Sequence, residues 1–303
     1  MTQSPSSAPS SSLSLIEIAA IIAVVVIWGV NNAAAKVATE VMPPLLVGVF
    51  RFAIAGACLA YFVRPPYPNW KSLMLVAVVG GPLHYGLLYF AYWLAQDVSP
   101  VTVATQLWIP ATSVFAFLIL GERISKLAAF GLLVAFGGVA WMTLDAHALL
   151  DWKAILVGAV AAAAWGLVTV IARRTRSIPP LKMQGILALT ALPAMMIGTV
   201  MFETGQMEAI QTAKPLVWWS LIWAGLVSSV LATSLVFWLV QKRETGRVTP
   251  YLLGAPLVSI FIGGVWMGDT LTPQILTGVA LTLVGVVIVA LAERGLRAGA
   301  AKA

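Results

Sequence analysis

The chain has 303 residues, 60% of them apolar and only 10% charged, against roughly 45–50% and about 25% in soluble globular proteins. This excludes a soluble domain, and the mean hydropathy of +0.96 is spread along the whole length. The formal charge of +7 is not gathered into the basic polar face that nucleic acid requires, and the single cysteine, Cys58, excludes an intramolecular disulfide and reads as a packed small residue.

Residues 1–14 are rich in Ser and Pro and contain no Lys or Arg. They read as a disordered tail rather than a signal peptide, because the apolar run that follows leads only to further apolar runs. A membrane crossing needs about 20 mostly apolar residues. Ten runs qualify, at about 15–36, 45–63, 71–93, 99–120, 126–144, 154–172, 183–202, 216–240, 248–267 and 273–292. Pro43-Pro44, Pro65-Pro66, Pro179-Pro180 and Pro273 stand where a helix should start or stop.

The first run carries Trp28-Gly29 and then Asn31-Asn32. An unpaired amide there is costly, so the asparagines either bond a neighbouring helix or line a cavity. Glu17 and Glu40 fall at its two ends and read as interfacial charges. Arg51 lies about one turn into the second run, where it can snorkel, pair with Glu40, or present its charge to a carboxylate. In the third run Tyr85, Tyr89 and Tyr92 share one helical stripe with His84 beside it. Gly81-Pro82 can break that helix and expose carbonyls.

The fourth run adds Thr102, Thr105, Gln106, Trp108, Pro110, Thr112 and Ser113. Trp108 falls near mid-membrane, where its indole N–H needs a partner. Pro110 should leave a carbonyl free one turn earlier, around Gln106. Gly131, Gly137-Gly138, Gly278 and Gly285 in the fifth and tenth runs suit close helix packing, and the few polar side chains of those two runs put them at the periphery, behind cavity-lining runs one, three, four, six, eight and nine. Trp165-Gly166 in the sixth run matches Trp28-Gly29, with Leu167-Val168 in place of the asparagines. Ser228-Ser229, Tyr251, Gly254, Pro256 and Ser259 supply a less polar counterpart in the second half.

The stretch Ser99 to Met142 returns as Thr249 to Leu291. Pro110, Gly121-Glu122, Gly131 and Gly138 are echoed by Pro256, Gly268-Asp269, Gly278 and Gly285, and Trp93-Leu94-Ala95-Gln96 by Trp238-Leu239-Val240-Gln241. An echo at half the chain length indicates a duplicated unit. Lys and Arg split 14 to 3 between alternate sides, which puts both termini in the cytoplasm. Five runs per half is odd, so the second copy enters the membrane upside down. The expected fold is all-α, ten transmembrane helices as two inverted five-helix repeats, 15–148 and 149–292, around a central cavity, with 293–303 as a cytoplasmic tail. Inverted repeats are the usual construction of alternating-access carriers.

Enzyme chemistry is not visible. The two histidines form no metal-ligand cluster with Cys, Asp or Glu, and no GxxxxGK[ST] loop occurs. Neither a catalytic residue, nor a metal, nor a cofactor is expected.

Trp28-Gly29 through Lys36, Arg51-Phe52, Pro110 followed by Leu120-Gly121-Glu122-Arg123, and Pro256 followed by Gly268-Asp269 and Gly278 to Gly285 together resemble the EamA-type members of the drug/metabolite transporter superfamily. Asp269 stands where that pattern usually has a glutamate. The resemblance covers about 280 residues of this chain. It implies a ten-helix carrier of the bacterial inner membrane that exports small metabolites through a cavity between its halves. The aromatic candidates make it look like the family's aromatic amino-acid exporters. A broad exporter of lipophilic drugs would use the same walls, and a pore or membrane scaffold is the remaining class. The expected partners are a small-molecule substrate and membrane lipid, with the chain a monomer. The substrate-binding candidates are Trp28, Asn31, Asn32, His84, Tyr85, Tyr89, Gln106, Trp108, Trp165 and Tyr251, with Pro82, Pro110 and Pro256 as kinks or gates.

Overall fold

The computed structural model describes residues 14–121, 124–172, 178–242, 251–252 and 254–300. Residues 1–13 of the expected tail 1–14, the Glu122-Arg123 pair, and Lys302 with the basic residues of 173–177 and 243–250 that entered the charge count lie outside them. Among the described residues nine helices are long and apolar enough to cross a membrane: α1 (Leu15–Thr39), α2 (Pro44–Phe62), α3 (Trp70–Leu94), α4 (Val98–Leu120), α5 (Lys126–Thr143), α6 (Ala148–Ala172), α7 (Pro180–Phe202), α8 (Pro215–Leu239) and α10 (Pro273–Ala292). The run expected at 248–267 is represented by a shorter apolar helix, α9 (Gly254–Met267). A short helix at Gln206–Thr212 stands between α7 and α8.

Local chemistry sets the helix ends. Ser14 and Glu17 form a reciprocal capping box at the start of α1, Glu17 Oε2 accepting from Ser14 N at 2.8 Å. Pro44, Pro180 and Pro215 occupy the first turns of α2, α7 and α8, where a missing N–H costs nothing. Gly121 and Gly268, counterparts in the repeat, both end their helices at positive φ (67° and 79°), a backbone region open to glycine. Pro82 is absorbed in a π-helical turn at Val79–Leu83 within α3, and similar wide turns occur at Trp223–Ala232 in α8 and Gly263–Met267 in α9.

Between lipid-solvated helices apolar burial gives little drive, so close packing and hydrogen bonds decide which helices meet. Helices α5 and α10 make the most extensive contact, and the glycines explain it. A Cβ on Gly131 would stand 2.9 Å from the Gly285 carbonyl, and one on Gly138 2.8 Å from the Gly278 carbonyl. The helix backbones are in contact there, as expected from the sequence. Elsewhere α2 packs on α7, α1 on α8 and α9, and α6 on α3 and α4.

Large apolar side chains such as Leu118, Leu133, Val200, Phe261 and Trp266 point outward, as a lipid-facing perimeter requires. Cys58 is also exposed, which corrects its reading as a packed small residue.

One end of the bundle is held by carboxylates that accept backbone N–H groups across long sequence distances. Asp269 accepts from Val98 N (3.2 Å) and Ser99 N (2.8 Å), Asp151 from Gln96 N (2.7 Å) and Asp97 N (3.1 Å), and Asp97 from Thr270 N (3.0 Å). Glu203 serves Leu45 N (2.7 Å) and Leu46 N (3.2 Å). Each satisfies the open N–H groups of a helix start or connection while tying two distant segments together.

Candidate functional site

A cavity lies where α1, α2, α3 and α4 meet α6, α8 and α9. Its walls are Trp28, Asn31 and Asn32 of α1, Arg51 of α2, His84, Tyr85 and Leu88 of α3, Thr105, Gln106 and Trp108 of α4, Ala162 and Trp165 of α6, Ser228 of α8, and Ala255 of α9, with Leu252 just before it. Helices α5, α7 and α10 do not reach it. Eight of the ten substrate-binding candidates are thus brought together. The cavity measures about 90 Å³, small beside the roughly 300–1,000 Å³ of ligand pockets.

Tyr89 and Tyr251 are not on the wall. Tyr89 is fully buried behind Arg51, and Tyr251 is exposed. Pro82, Pro110 and Pro256 also lie off the wall and shape the helices that form it.

Helix α4 shows how the wall is built. Thr105 Oγ1 donates to the Thr102 carbonyl at 2.7 Å, and Gln106 Nε2 donates to the same carbonyl at 3.3 Å. The carbonyl of Gln106, expected to be left free by Pro110, accepts from Ile109 N at 3.2 Å. The chain tightens by one residue at this point, and the shorter loop uses the group that the proline would otherwise strand. The Gln106 carbonyl is therefore not stranded by the proline.

In α1 the two asparagines divide their duties. Asn32 Nδ2 donates to Ser259 Oγ at 2.9 Å, and Ser259 Oγ donates to the Gly29 carbonyl at 2.9 Å, so the amide ties α1 to α9 beside the cavity. Asn31 is buried, and its Oδ1 has no partner.

The aromatic part of the wall comes from both halves of the chain. His84 and Trp165 lie with ring centroids 4.9 Å apart, and His84 meets Tyr85 edge-on at 4.7 Å. His84 Nδ1 is 2.8 Å from the Ala161 carbonyl. A carbonyl only accepts, so Nδ1 carries the hydrogen, which fixes the ring's orientation. Tyr92, the third tyrosine of the stripe, pairs with Thr102 Oγ1 at 3.2 Å and is fully buried away from the wall.

Arg51 was not among the substrate-binding candidates, yet it touches the cavity. Of its expected partners, Glu40 is corrected: Glu40 Oε1 lies 3.3 Å from Lys36 Nζ. Lys36 is itself buried and also donates to the Ala95 carbonyl. Arg51 instead meets Ser228, Ser229, Tyr85 and Tyr89. Its place inside an apolar helix was the available signal, because ionisable groups in a membrane span face a cavity or partners rather than lipid.

A larger cavity of about 690 Å³ opens at the tied end of the bundle, between Thr39–Leu45, the outer part of α3, and Phe202–Thr212. It holds none of the predicted residues. Its Glu203 is occupied in binding α2.

Comparison with known proteins gives one family. Residues 15–144 and 152–291 each match the EamA-like transporter family. An uncharacterized transporter, YvbV, of Bacillus subtilis (strain 168) is 27% identical over 292 residues, covering 91% of this chain and 92% of the relative. A probable amino-acid metabolite efflux pump of Salmonella typhimurium is 25% identical over 281 residues, with 88% and 91% covered. An uncharacterized inner membrane transporter, YedA, of Escherichia coli (strain K12) is 21% identical over 283 residues, 90% of each chain. A solved crystal structure superposes with a TM-score of 0.64 at 19% identity, covering 93% of this chain and 98% of that one, which is a likeness of fold.

Proposed function

The chain belongs to the EamA-like transporter family, and from that premise we propose that it exports small metabolites, amino acids including aromatic ones, across the bacterial inner membrane by alternating access. The observation that carries this reading is the central cavity, which draws indoles and an imidazole from both halves of the chain and sets neutral amides among them. Flat apolar side chains fit such walls, and the amides can orient the polar end of the cargo.

The ten-helix inverted repeat belongs to the same proposal. Exchanging α1–α5 with α6–α10 turns the α1–α9 contact into α6–α4, α1–α8 into α6–α3, and α2–α8 into α7–α3, all of which occur. The α2–α7 and α5–α10 contacts map onto themselves. That exchange supports two related units, and such units can trade inward and outward shapes. In this scheme both termini are cytoplasmic, the carboxylate-tied end faces outward, and the chain works as a monomer.

The test is counterflow in liposomes with a panel of aromatic, aliphatic and hydroxyl amino acids and lipophilic cations. Saturable aromatic transport that is lost in Trp108→Ala or His84→Ala is the expected result. Cation movement without amino-acid movement would overturn it in favour of a drug exporter. Flux without saturation would indicate a pore.

A further inference from the structure

Arg51 is 1% exposed, and all its hydrogen-bond partners are neutral hydroxyls. Nε donates to Ser229 Oγ at 2.8 Å, Nη1 to Tyr89 at 3.0 Å, and Nη2 to Tyr85 at 3.4 Å and Ser228 at 3.3 Å. A guanidinium carries five N–H groups, so one on Nη1 has no protein acceptor. The Tyr85 ring lies 4.3 Å from the guanidinium carbon, which adds a further weak attraction. Hydroxyls orient the fork without cancelling its charge. Among the described residues no carboxylate reaches Arg51, and Glu40 pairs with Lys36.

A buried cation without a counter-charge is expensive. A plain helix clamp joining α2, α3 and α8 would need only neutral hydrogen bonds. The cavity also holds a second unmet group: Asn31 Oδ1, on a side chain 6% exposed, has no partner and lies on the same wall as Arg51. Asn32, His84, Thr105, Gln106 and Ser228 on that wall each make a hydrogen bond within the protein.

We propose that the central cavity is an anion receptor in which Arg51 takes the carboxylate of the cargo, and that the cargo class is small carboxylates with a flat apolar body, amino acids among them. This rests on the carrier reading above for the movement of the bound molecule. The ammonium of an amino acid meets only neutral acceptors such as Asn31 Oδ1, while its carboxylate meets a full charge. The carboxylate therefore dominates: removing the ammonium leaves binding intact, and removing the carboxylate weakens it at least ~10-fold.

The experiment titrates the tryptophan fluorescence of the full chain in detergent with L-phenylalanine, 3-phenylpropionate and phenethylamine, since Trp28, Trp108 and Trp165 report on the cavity directly. Both carboxylates should quench saturably and the amine should bind at least ~10-fold more weakly, the factor for losing a hydrogen bond to a charged group. Arg51→Gln should remove that preference. Because Arg51 also ties three helices and its replacement can unfold the chain, Asn31→Asp provides the second variant. This isosteric change supplies an internal counter-charge and should weaken the carboxylates ~10-fold while strengthening phenethylamine.

Equal binding of amine and carboxylates in the unmodified protein, no saturable quenching by any of the three, or selectivity unmoved in both variants would each overturn the proposal. Counterflow of the same compounds separates the two readings. Carboxylate-selective binding without counterflow sinks the carrier and keeps the anion site. Saturable counterflow of phenethylamine equal to that of phenylalanine keeps the carrier and sinks the anion site.

Discussion

Asp269, in the connection before α10, holds the first turn of α4 through Ser99: its Oδ2 accepts both the backbone N–H of Ser99, at 2.8 Å, and the Ser99 hydroxyl. The two residues are separated by 170 positions, so a local helix cap is also a joint between the halves of the chain. Asp269→Ala should lower stability by about 1–3 kcal/mol, the cost of a lost cap plus buried N–H groups left open. Ser99→Ala removes only the hydroxyl and should cost less. Gly263→Ala should act in the same direction as Asp269→Ala, because a Cβ there would stand 2.8 Å from the Asp269 carboxyl carbon. Thermal melting of the three variants in one detergent checks the order, and an Asp269→Ala protein that melts with the unmodified chain would refute the joint.

The α5–α10 contact makes a sharper comparison from adjacent glycines. A Cβ on Gly138 would meet Thr282 N at 2.5 Å and the Gly278 carbonyl at 2.8 Å, whereas one on Gly137 has nothing within 4 Å. Gly138→Val should therefore force the backbones apart and cost about 1–3 kcal/mol or more. Gly137→Ala should be neutral or stabilising by up to about 1 kcal/mol, through helix propensity. Melting temperatures that move together for the two substitutions would show that the helices do not approach on this face.

The scaffold could be read from the sequence because its signals are local or periodic. Apolar run length sets the spans, prolines and glycines punctuate them, and the spacing of Gly131, Gly138, Gly278 and Gly285 already marks a packing face. The site was only partly legible. Trp28, Asn31, His84 and Trp165 stood out as polar or indole groups inside apolar helices, yet helical phase alone did not separate Tyr85, on the wall, from Tyr89 behind it. That distinction lies in the packing, because both hydroxyls meet Arg51 but Tyr85 also meets His84 and Trp165 on the wall while Tyr89 is fully enclosed. The pairing of Lys36 with Glu40, four positions apart at the end of α1, was a local contact legible in the sequence, whereas the bond from Lys36 to the Ala95 carbonyl depends on tertiary packing. Ile109 N reaching the Gln106 carbonyl is a local retightening that a proline rule misses.

Two acids at the tied end should respond to pH in opposite senses. Burial is the main cause that raises the Asp97 carboxyl above its ordinary value, with Asp269 and Asp151 adding to it. A carboxyl whose folded value is raised binds protons more readily folded than unfolded, so it subtracts stability as pH rises through and above its unfolded value. Asp145 is lowered, chiefly by the Thr272 hydroxyl, whose Oγ1 donates at 2.6 Å. Its contribution is present above the unfolded carboxyl value and is lost as pH falls through the lower, folded one. Asp97→Asn retains an acceptor for Thr270 N–H and removes the charge, so it should melt higher than the unmodified protein at pH 7, with the gain vanishing in acid. Thr272→Val should melt lower at pH 7, with part of the deficit lost as pH falls through the lowered Asp145 value and the rest persisting in acid, because Thr272 Oγ1 also accepts from Ile275 N at 3.1 Å. Melting curves from pH 3 to 8 decide both signs.

The small size of the cavity sets the last expectation, because filling a real void and crowding a packed core have opposite consequences for stability. Ala162 is on the wall one turn before Trp165, facing Trp108 and His84 across about 90 Å³. If that space is free, Ala162→Leu places its added carbons in it without displacing neighbours, and the folded state should hold within about 0.5 kcal/mol. In a packed core the same change costs about 1–3 kcal/mol. Transport should nevertheless fall more than ~10-fold, since the cargo must enter the space the leucine occupies. Trp108→Ala, which enlarges the same space, should lower aromatic transport while aliphatic amino acids still pass. An Ala162→Leu protein that is stable and transports normally would place the pathway elsewhere, and the 690 Å³ cavity lined by Glu40, Glu203 and Glu208 would become its strongest candidate.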